Sequence, residues 1–299
     1  MKIFDLFGYG FTGARHIFNT WVLRQSSPIV SGIALNDSCN LHCRHCSVAN
    51  SNIPDMSFEE IRFGLRILRG MKIRTLFIEG GEPFLWKNEK RKLEDIVRYA
   101  RSIGFRSIIL YTNGTFPIET GADSVFVSLD GLKATNDRLR GRTFDTVIRN
   151  IERSDHTKIL INFTINRINE AEIEQFCREI VCVKNIRGIF FYFYTPYNGR
   201  DEMFLDHERR ALIIERIFLL KSDGFPILNS RAALKGIQKN RWNRPTNLCY
   251  LYANNELYQC CRAIGNVDIC NNCGYLGYAE LHYISRLKPS AILAGMKSL

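Results

Sequence analysis

Cys39, Cys43 and Cys46 stand within one run of eight residues, Cys39-Asn40-Leu41-His42-Cys43-Arg44-His45-Cys46. Thiolates this close on one loop can converge on three corners of a cubane iron–sulfur cluster. Four-iron clusters ordinarily take four cysteines, so three would leave one iron open to chelate a small molecule directly. The competing chemistry is a zinc ion completed by His42 or His45. Zinc sites usually pair two C-x-x-C knuckles, and the C-x3-C-x2-C spacing fits that pattern poorly.

A second group follows near the end of the chain. Cys249, Cys260, Cys261, Cys270 and Cys273 fall within 25 residues, among Asn, Gly and Tyr. Four well-placed cysteines suffice for a fully ligated cluster or a zinc ion. The favoured set is Cys249, one of Cys260 and Cys261, Cys270 and Cys273, with the adjacent pair unresolved. Cys177 and Cys182 lie in a helical stretch and read as inert core residues. Ten cysteines without an export signal fit a reducing, cytoplasmic compartment, where thiols serve metals or catalysis.

The elements that must position these thiols alternate. Short apolar runs near 31–36, 75–79, 106–112, 124–129, 159–165 and 188–194 read as strands, with helical segments near 57–70, 90–103, 143–153, 170–181 and 206–222. Repeated βα units build a parallel sheet with right-handed crossovers. Six of them predict an α/β fold, a partial (β/α)6 TIM-like barrel over 29–235. A segment over 1–28 precedes it, and a small cysteine-rich metal-binding appendix over 236–299 follows. Ligands of such sheets sit at the carboxyl ends of the strands. Those ends read Glu79-Gly80-Gly81-Glu82-Pro83, Tyr111-Thr112-Asn113-Gly114, Val127-Ser128-Leu129-Asp130-Gly131 and, after the fifth strand, Asn166. The sixth strand alternates large aromatics from Phe190 to Tyr194, and its pattern leaves open which set faces the interior.

Composition narrows the class. Hydrophobic residues make up 45% and charged residues 24%, ordinary for a globular chain with a sizeable core. The net charge of +11 favours anionic partners, yet the basic residues are dispersed and no nucleic-acid module accompanies them. No run approaches the ~18 apolar residues of a membrane span. Asp5, Arg15, His16 and Arg24 break the N-terminus as a signal peptide. Its aromatics, Phe4, Phe7, Tyr9, Phe11, Phe18 and Trp21, suit either a helix packed on the domain or a peripheral contact with a membrane.

The three-cysteine loop after the first strand, with the later strand ends in register, resembles the radical S-adenosylmethionine superfamily from about residue 30 to 230. His45 suits the aromatic position before the last cysteine there. The resemblance implies that Cys39, Cys43 and Cys46 hold a 4Fe–4S cluster whose open iron binds S-adenosylmethionine. Reductive cleavage would then give a 5′-deoxyadenosyl radical that abstracts hydrogen from, or adds to, an unactivated carbon. Gly80, Gly81, Glu82 and Pro83 would receive the methionine amino group. Asn113 and Ser128 would contact the ribose and carboxylate, and Asn166 would lie near the adenine. Asp130 opens a segment in which Arg140 or Arg142 would neutralise an anion. The C-terminal cysteines resemble the twitch or SPASM-like appendix that carries a second 4Fe–4S cluster. The implied partners are a peptide or small-molecule substrate and an external electron donor such as ferredoxin or flavodoxin. A fainter likeness, in Trp242-Asn243-Arg244-Pro245-Thr246 and the cysteines around it, is to adenosylhopane-forming enzymes, which would make the substrate a lipid. The competing non-enzymatic reading is an iron–sulfur or zinc carrier.

Overall fold

The computed structural model describes residues 28–244 and 246–299. The aromatic segment read over 1–28 therefore lies, apart from Pro28, outside the described residues, and with it the reading of a membrane contact there.

Six strands follow the expected apolar runs: β1 (Val30–Ala34), β2 (Thr75–Glu79), β3 (Ser107–Thr112), β4 (Ser124–Ser128), β5 (Ile159–Ile165) and β6 (Ile186–Phe193). Two more, β7 (Cys249–Ala253) and β8 (Glu256–Gln259), come from the region read as an appendix. Among the described residues the sheet has eight strands in the order β8-β7-β1-β2-β3-β4-β5-β6. Neighbours are parallel except β8, which returns antiparallel onto β7. The first cysteine of the second group thus opens a strand paired with β1, Cys249 opposite Val30. A turn at Asn254-Asn255, both with positive φ, lets β8 fold back, as asparagine tolerates that region better than most residues.

The helices are α1 (Phe58–Gly70), α2 (Leu93–Ser102), α3 (Lys133–Arg140), α4 (Phe144–Arg153), α5 (Ile173–Ile180), α6 (His207–Ser222), α7 (Arg231–Gln238), α8 (Val267–Asn271), α9 (Leu276–Ser285) and α10 (Pro289–Ser298). Helix α1 starts at a capping box, in which the Ser57 side chain accepts from Glu60 N and Glu60 accepts from Ser57 N. Its Ile61, Leu65 and Leu68 recur at helical spacing and are fully buried.

Alternation along the strands separates two surfaces. Ile78, Leu110, Val127, Phe163 and Phe191 belong to the buried core shared with the helices. Phe77 and Glu79, Ile109 and Tyr111, Phe126 and Ser128, Asn162 and Thr164, Phe190 and Tyr192 line an interior cavity. The sixth strand thereby takes one of its two possible registers. Phe191 packs edge-on against Phe163, whereas Tyr192 faces inward.

An open barrel leaves a gap between its edge strands. Helix α9 lies across it: Phe193 N of β6 donates to Gly274 O at 2.9 Å just before the helix, and Leu281 packs with Leu248 and Cys249 at β7. Cys177 is buried in α5 as expected, but Cys182 is exposed. It falls in the turn after the helix, where no apolar neighbour covers it. Among the described residues, no helix is long and apolar enough to cross a membrane.

Candidate functional site

The interior cavity has a volume of about 420 Å³, and Cys39, Cys43 and Cys46 stand on its wall with Gly80, Gly81, Asn113, Ser128 and Arg140. Most of the sequence-expected residues of the barrel therefore meet in one space, at the carboxyl ends of β1 to β5.

The cysteine loop is laced from both sides. Asp55 Oδ1 accepts from Asp37 N at 3.0 Å and Ser38 N at 3.2 Å. Asn50 takes the Cys39 amide on its Oδ1 at 2.9 Å and gives its Nδ2 to Leu41 O at 2.9 Å. The glycine pair after β2 lets this loop lie close. A Cβ on Gly81 would come 2.3 Å from Ser38 O, and one on Gly80 would come 2.4 Å from Asn36 Oδ1. Both are closer than a side-chain carbon can approach, so the two glycines serve the backbone path of the loop as well as any ligand.

N–H groups point at the sulfurs. Leu41 N donates to Cys39 Sγ at 3.4 Å, Asn113 Nδ2 approaches the same sulfur at 3.8 Å, and Arg140 Nη1 reaches Cys43 Sγ at 3.9 Å. Donors aimed at sulfur favour a thiolate over a thiol, which is what a metal ligand must be. Burial works against this and pushes the Cys43 thiol up to about 11, with the Arg140 charge opposing. Among the described residues, no three His, Cys, Asp or Glu side chains converge as ligands of a single metal ion. The donor set is three soft thiolates on one loop, facing open space rather than a fourth side chain, and it fits an iron–sulfur cluster with one free corner.

Behind the cysteines lies a buried ion pair. Arg140 Nε donates to Asp130 Oδ2 at 2.5 Å, and Thr164 N donates to Asp130 Oδ1 at 2.6 Å. His45 Nε2 lies 3.3 Å from the same Oδ2. Burial holds the His45 imidazole down to about 4, with the Asp130 charge opposing. With His45 committed to Asp130, the zinc reading loses the histidine nearest the last cysteine. Arg142 is exposed, so of the two arginines it is Arg140 that reaches the cavity.

Four expected residues sit elsewhere. The Glu82 carboxylate accepts from Asn113 N at 2.7 Å, Thr112 Oγ1 at 2.8 Å and Phe84 N at 3.1 Å, tying the β2 and β3 ends together behind the cavity wall. Pro83 is buried at the start of the short 3-10 turn that follows. Asn166, fully buried, spends its side chain on its own turn, taking Ile168 N at 2.9 Å and giving Nδ2 to Thr164 O at 3.3 Å. Asp130, with both oxygens engaged, likewise acts through Arg140.

The cavity also holds groups without a role in the sequence reading. Glu79, at the end of β2, lines it and lies 3.4 Å from Arg262 Nη2, while burial pushes its carboxyl up. Tyr111 and Tyr192 span the interior with their hydroxyls 3.1 Å apart. Glu280 enters from α9. The strand-end position of Glu79 signals an inward carboxylate. Nothing in local sequence signals Glu280, because its helix reaches the cavity only by closing the barrel.

The second cysteine group forms a separate, small cavity. Cys260, Cys261, Cys270 and Cys273 line it with Trp242, Arg244, Tyr197 and Tyr275. Cys260 adopts left-handed backbone (φ 68°), which turns two adjacent side chains toward one space. The Cys260 side chain holds the Cys261 thiol below the usual thiol range, and burial pushes Cys273 up to about 12. Cys249 is fully buried at the strand start and lies outside this lining; its carbonyl accepts from Cys260 N at 2.9 Å. Buried Arg210 pins the turn that carries Cys270 and Cys273, donating to Cys273 O at 3.2 Å, Asn272 O at 3.0 Å and Tyr194 O at 3.0 Å.

Residues 33–180 match the family described as the Radical SAM superfamily. The chain is 32% identical over 211 residues to the Fe-coproporphyrin III synthase of Methanosarcina barkeri, covering 63% of this chain and 51% of that protein. It is 28% identical over 181 residues to the pre-heme d1 synthase of Dinoroseobacter shibae, covering 56% and 43%. It thus spans about half the length of these relatives. In architecture it is similar to Streptococcus suis SuiB bound to precursor peptide SuiA, with a TM-score of 0.63, 15% identity, and coverage of 88% of this chain and 67% of that one. It is also similar to anSMEcpe with bound AdoMet, with a TM-score of 0.56, 17% identity and coverage of 86% and 83%. The match begins at β1 and runs through the cysteine loop, the glycine pair and the strand ends that line the cavity, and the chain belongs to the radical SAM superfamily, enzymes that use a 4Fe–4S cluster and S-adenosylmethionine.

Proposed function

We propose that this chain holds its cluster on Cys39, Cys43 and Cys46, binds S-adenosylmethionine in the polar upper part of the cavity, and acts on a small, largely apolar molecule in the part below. The observation that carries this reading is the single cavity that joins the three thiols to the strand ends and then runs down between the aromatic side chains of β2, β3, β4 and β6. Cluster and S-adenosylmethionine together supply hydrogen-atom abstraction from an unactivated carbon; the protein binds, orients and excludes water. The backbone of Gly80 and Gly81 offers close approach for an ammonium group. Asn113 and Ser128 offer hydrogen bonds, and Arg140, set in place by Asp130, offers a cation to a carboxylate. The aromatic wall below keeps water from the reacting carbon.

A small-molecule substrate is favoured over a peptide by two points. The sequence relatives are named for tetrapyrroles and GTP, and α9 walls one side of the cavity with Gly277, Tyr278, Glu280, Leu281 and Ile284. A lipid remains compatible with the apolar lining, and an external one-electron reductant is required in either case. The second cysteine group would hold a further cluster on Cys260, Cys261, Cys270 and Cys273, the four thiols that share one small cavity.

The test is anaerobic reconstitution with iron and sulfide, then reduction in the presence of S-adenosylmethionine. Wild type is expected to release 5′-deoxyadenosine and methionine, and Cys43→Ala is expected to release none. Wild type that binds iron yet behaves like the variant would overturn the reading.

A further inference from the structure

Glu280 is the one carboxylate that α9 brings to the cavity. It is 6% exposed. Its Oε1 accepts from Ser230 N at 2.7 Å, while Oε2 is buried and has no hydrogen-bond partner. The nearby cation, Lys221, gives its Nζ to the Ile227 carbonyl instead. A carboxylate oxygen left bare away from water costs stability, and such groups are ordinarily paired. Evolution tolerates that cost where a ligand completes the pairing.

Its neighbours on the cavity wall say what that ligand looks like. Leu281 and Ile284 flank Glu280 on the same helix, Gly295 comes from α10 and Leu299 follows it, and Phe190 and Tyr192 come from β6. Gly277, one turn before Glu280, leaves room for the Tyr192 ring: a Cβ there would come 3.2 Å from its hydroxyl. Three hydroxyls share this end of the wall and each already has a partner: Tyr192 lies 3.1 Å from the Tyr111 hydroxyl, Tyr278 donates to Cys260 O at 2.8 Å, and Ser298 donates to Ala294 O at 3.0 Å.

We infer that the Glu280 carboxylate is the substrate's polar anchor: it accepts a hydrogen bond from a hydroxyl or ammonium group on an otherwise hydrocarbon molecule, whose remainder lies against the aromatic wall below the cysteine loop. This rests on the reading of the cavity as a radical SAM site and names its substrate class. The anchor is a positioning residue. It excludes carboxylate-headed ligands, because two carboxylates would face each other in an apolar space. That exclusion runs against the chain's overall positive charge, which by itself attracts anions.

The experiment uses the full reconstituted chain and three probes with one alkyl tail, 1-octanol, octylamine and octanoate, titrated at pH 8 by calorimetry. Wild type is expected to bind the alcohol and the amine at least about tenfold more tightly than the acid, a difference of one charge-assisted hydrogen bond. Glu280→Gln keeps an acceptor, so it should retain the alcohol and lose the preference for the amine. Glu280→Leu should lose discrimination among all three. Equal affinities in wild type, or an undiminished amine preference in Glu280→Gln, would overturn the inference, and the second holds even if Glu280→Leu fails to fold. Probe binding needs no cleavage of S-adenosylmethionine. Wild type that binds the three probes equally yet releases 5′-deoxyadenosine therefore sinks the anchor alone, whereas wild type that discriminates among them yet releases none sinks the cofactor reading.

Discussion

The two cysteine groups are built on opposite plans. The first draws three thiols from a single loop, Cys39 and Cys43 half-buried and Cys46 exposed, beside a cavity with room for more. The second draws four from three places in the chain, sets Cys260 and Cys273 in the interior, and walls them with Trp242, Tyr197 and Tyr275 around a space too small for a substrate. A site meant to bind and release a small molecule needs a free ligand position and access. A site meant to hold a metal or pass electrons needs neither. The proposed division, chemistry at the first group and a supporting part for the second, rests on this contrast. Thr195, Tyr197 and Tyr275 line both cavities, so the two share a wall.

The contrast breaks most decisively on the cysteines themselves. Cys43→Ala should abolish 5′-deoxyadenosine formation. The pair Cys270→Ala/Cys273→Ala should lose roughly half of the bound iron and keep cleavage of S-adenosylmethionine. Iron, sulfide and product counts on the two variants check it, and loss of cleavage in both would erase the division of labour.

The next effect falls behind the first group. Arg140→Met strands the Asp130 carboxylate, which is fully buried, and should cost about 3–5 kcal/mol in urea unfolding, as breaking a buried pair usually does. A fall of less than about 1 kcal/mol would mean that His45 and Thr164 suffice to satisfy Asp130.

At the barrel's closing helix the expected effect depends on pH. Burial pushes the Glu280 carboxyl up from 4.5 to about 7, with Ser230 and Lys221 opposing. Between those values the folded chain holds a proton that the unfolded chain has released. Stability therefore falls as pH rises through that window, by roughly 3 kcal/mol in total. Glu280→Gln should flatten that slope and raise stability at pH 8. Thermal unfolding from pH 5 to 8 checks the sign.

The smallest effect lies outside both groups. Cys182→Ser, at an exposed turn, should change stability by no more than about 0.5 kcal/mol and leave iron content unaltered. A loss of iron would add a ligand that neither cavity contains.

Much of the barrel was legible because its signals are local. The runs near 75–79 and 159–165 reappear with the same bounds as β2 and β5, since an apolar strand between turn residues carries its own pattern. The illegible parts are those where two distant segments decide the outcome. Cys249 reads as a metal ligand by spacing, yet its residue opens a strand against β1. Asn166 reads as a ligand contact by its place after a strand, yet its side chain closes a turn. Glu82 reads as a ligand-facing acid, yet three donors from the β3 end and its own turn occupy it.

By itself the sequence determined the cysteine loop, the glycine pair, the order of the βα units and hence the end of the sheet where they meet. Each depends on residues within a few positions of one another. The tertiary structure alone decided which face of β6 lines the cavity, which four of the five late thiols share a space, and that Glu280 reaches the interior at all. Those outcomes depend on burial and on pairing across more than two hundred residues, as between Val30 and Cys249, and no local pattern records what a side chain will meet there.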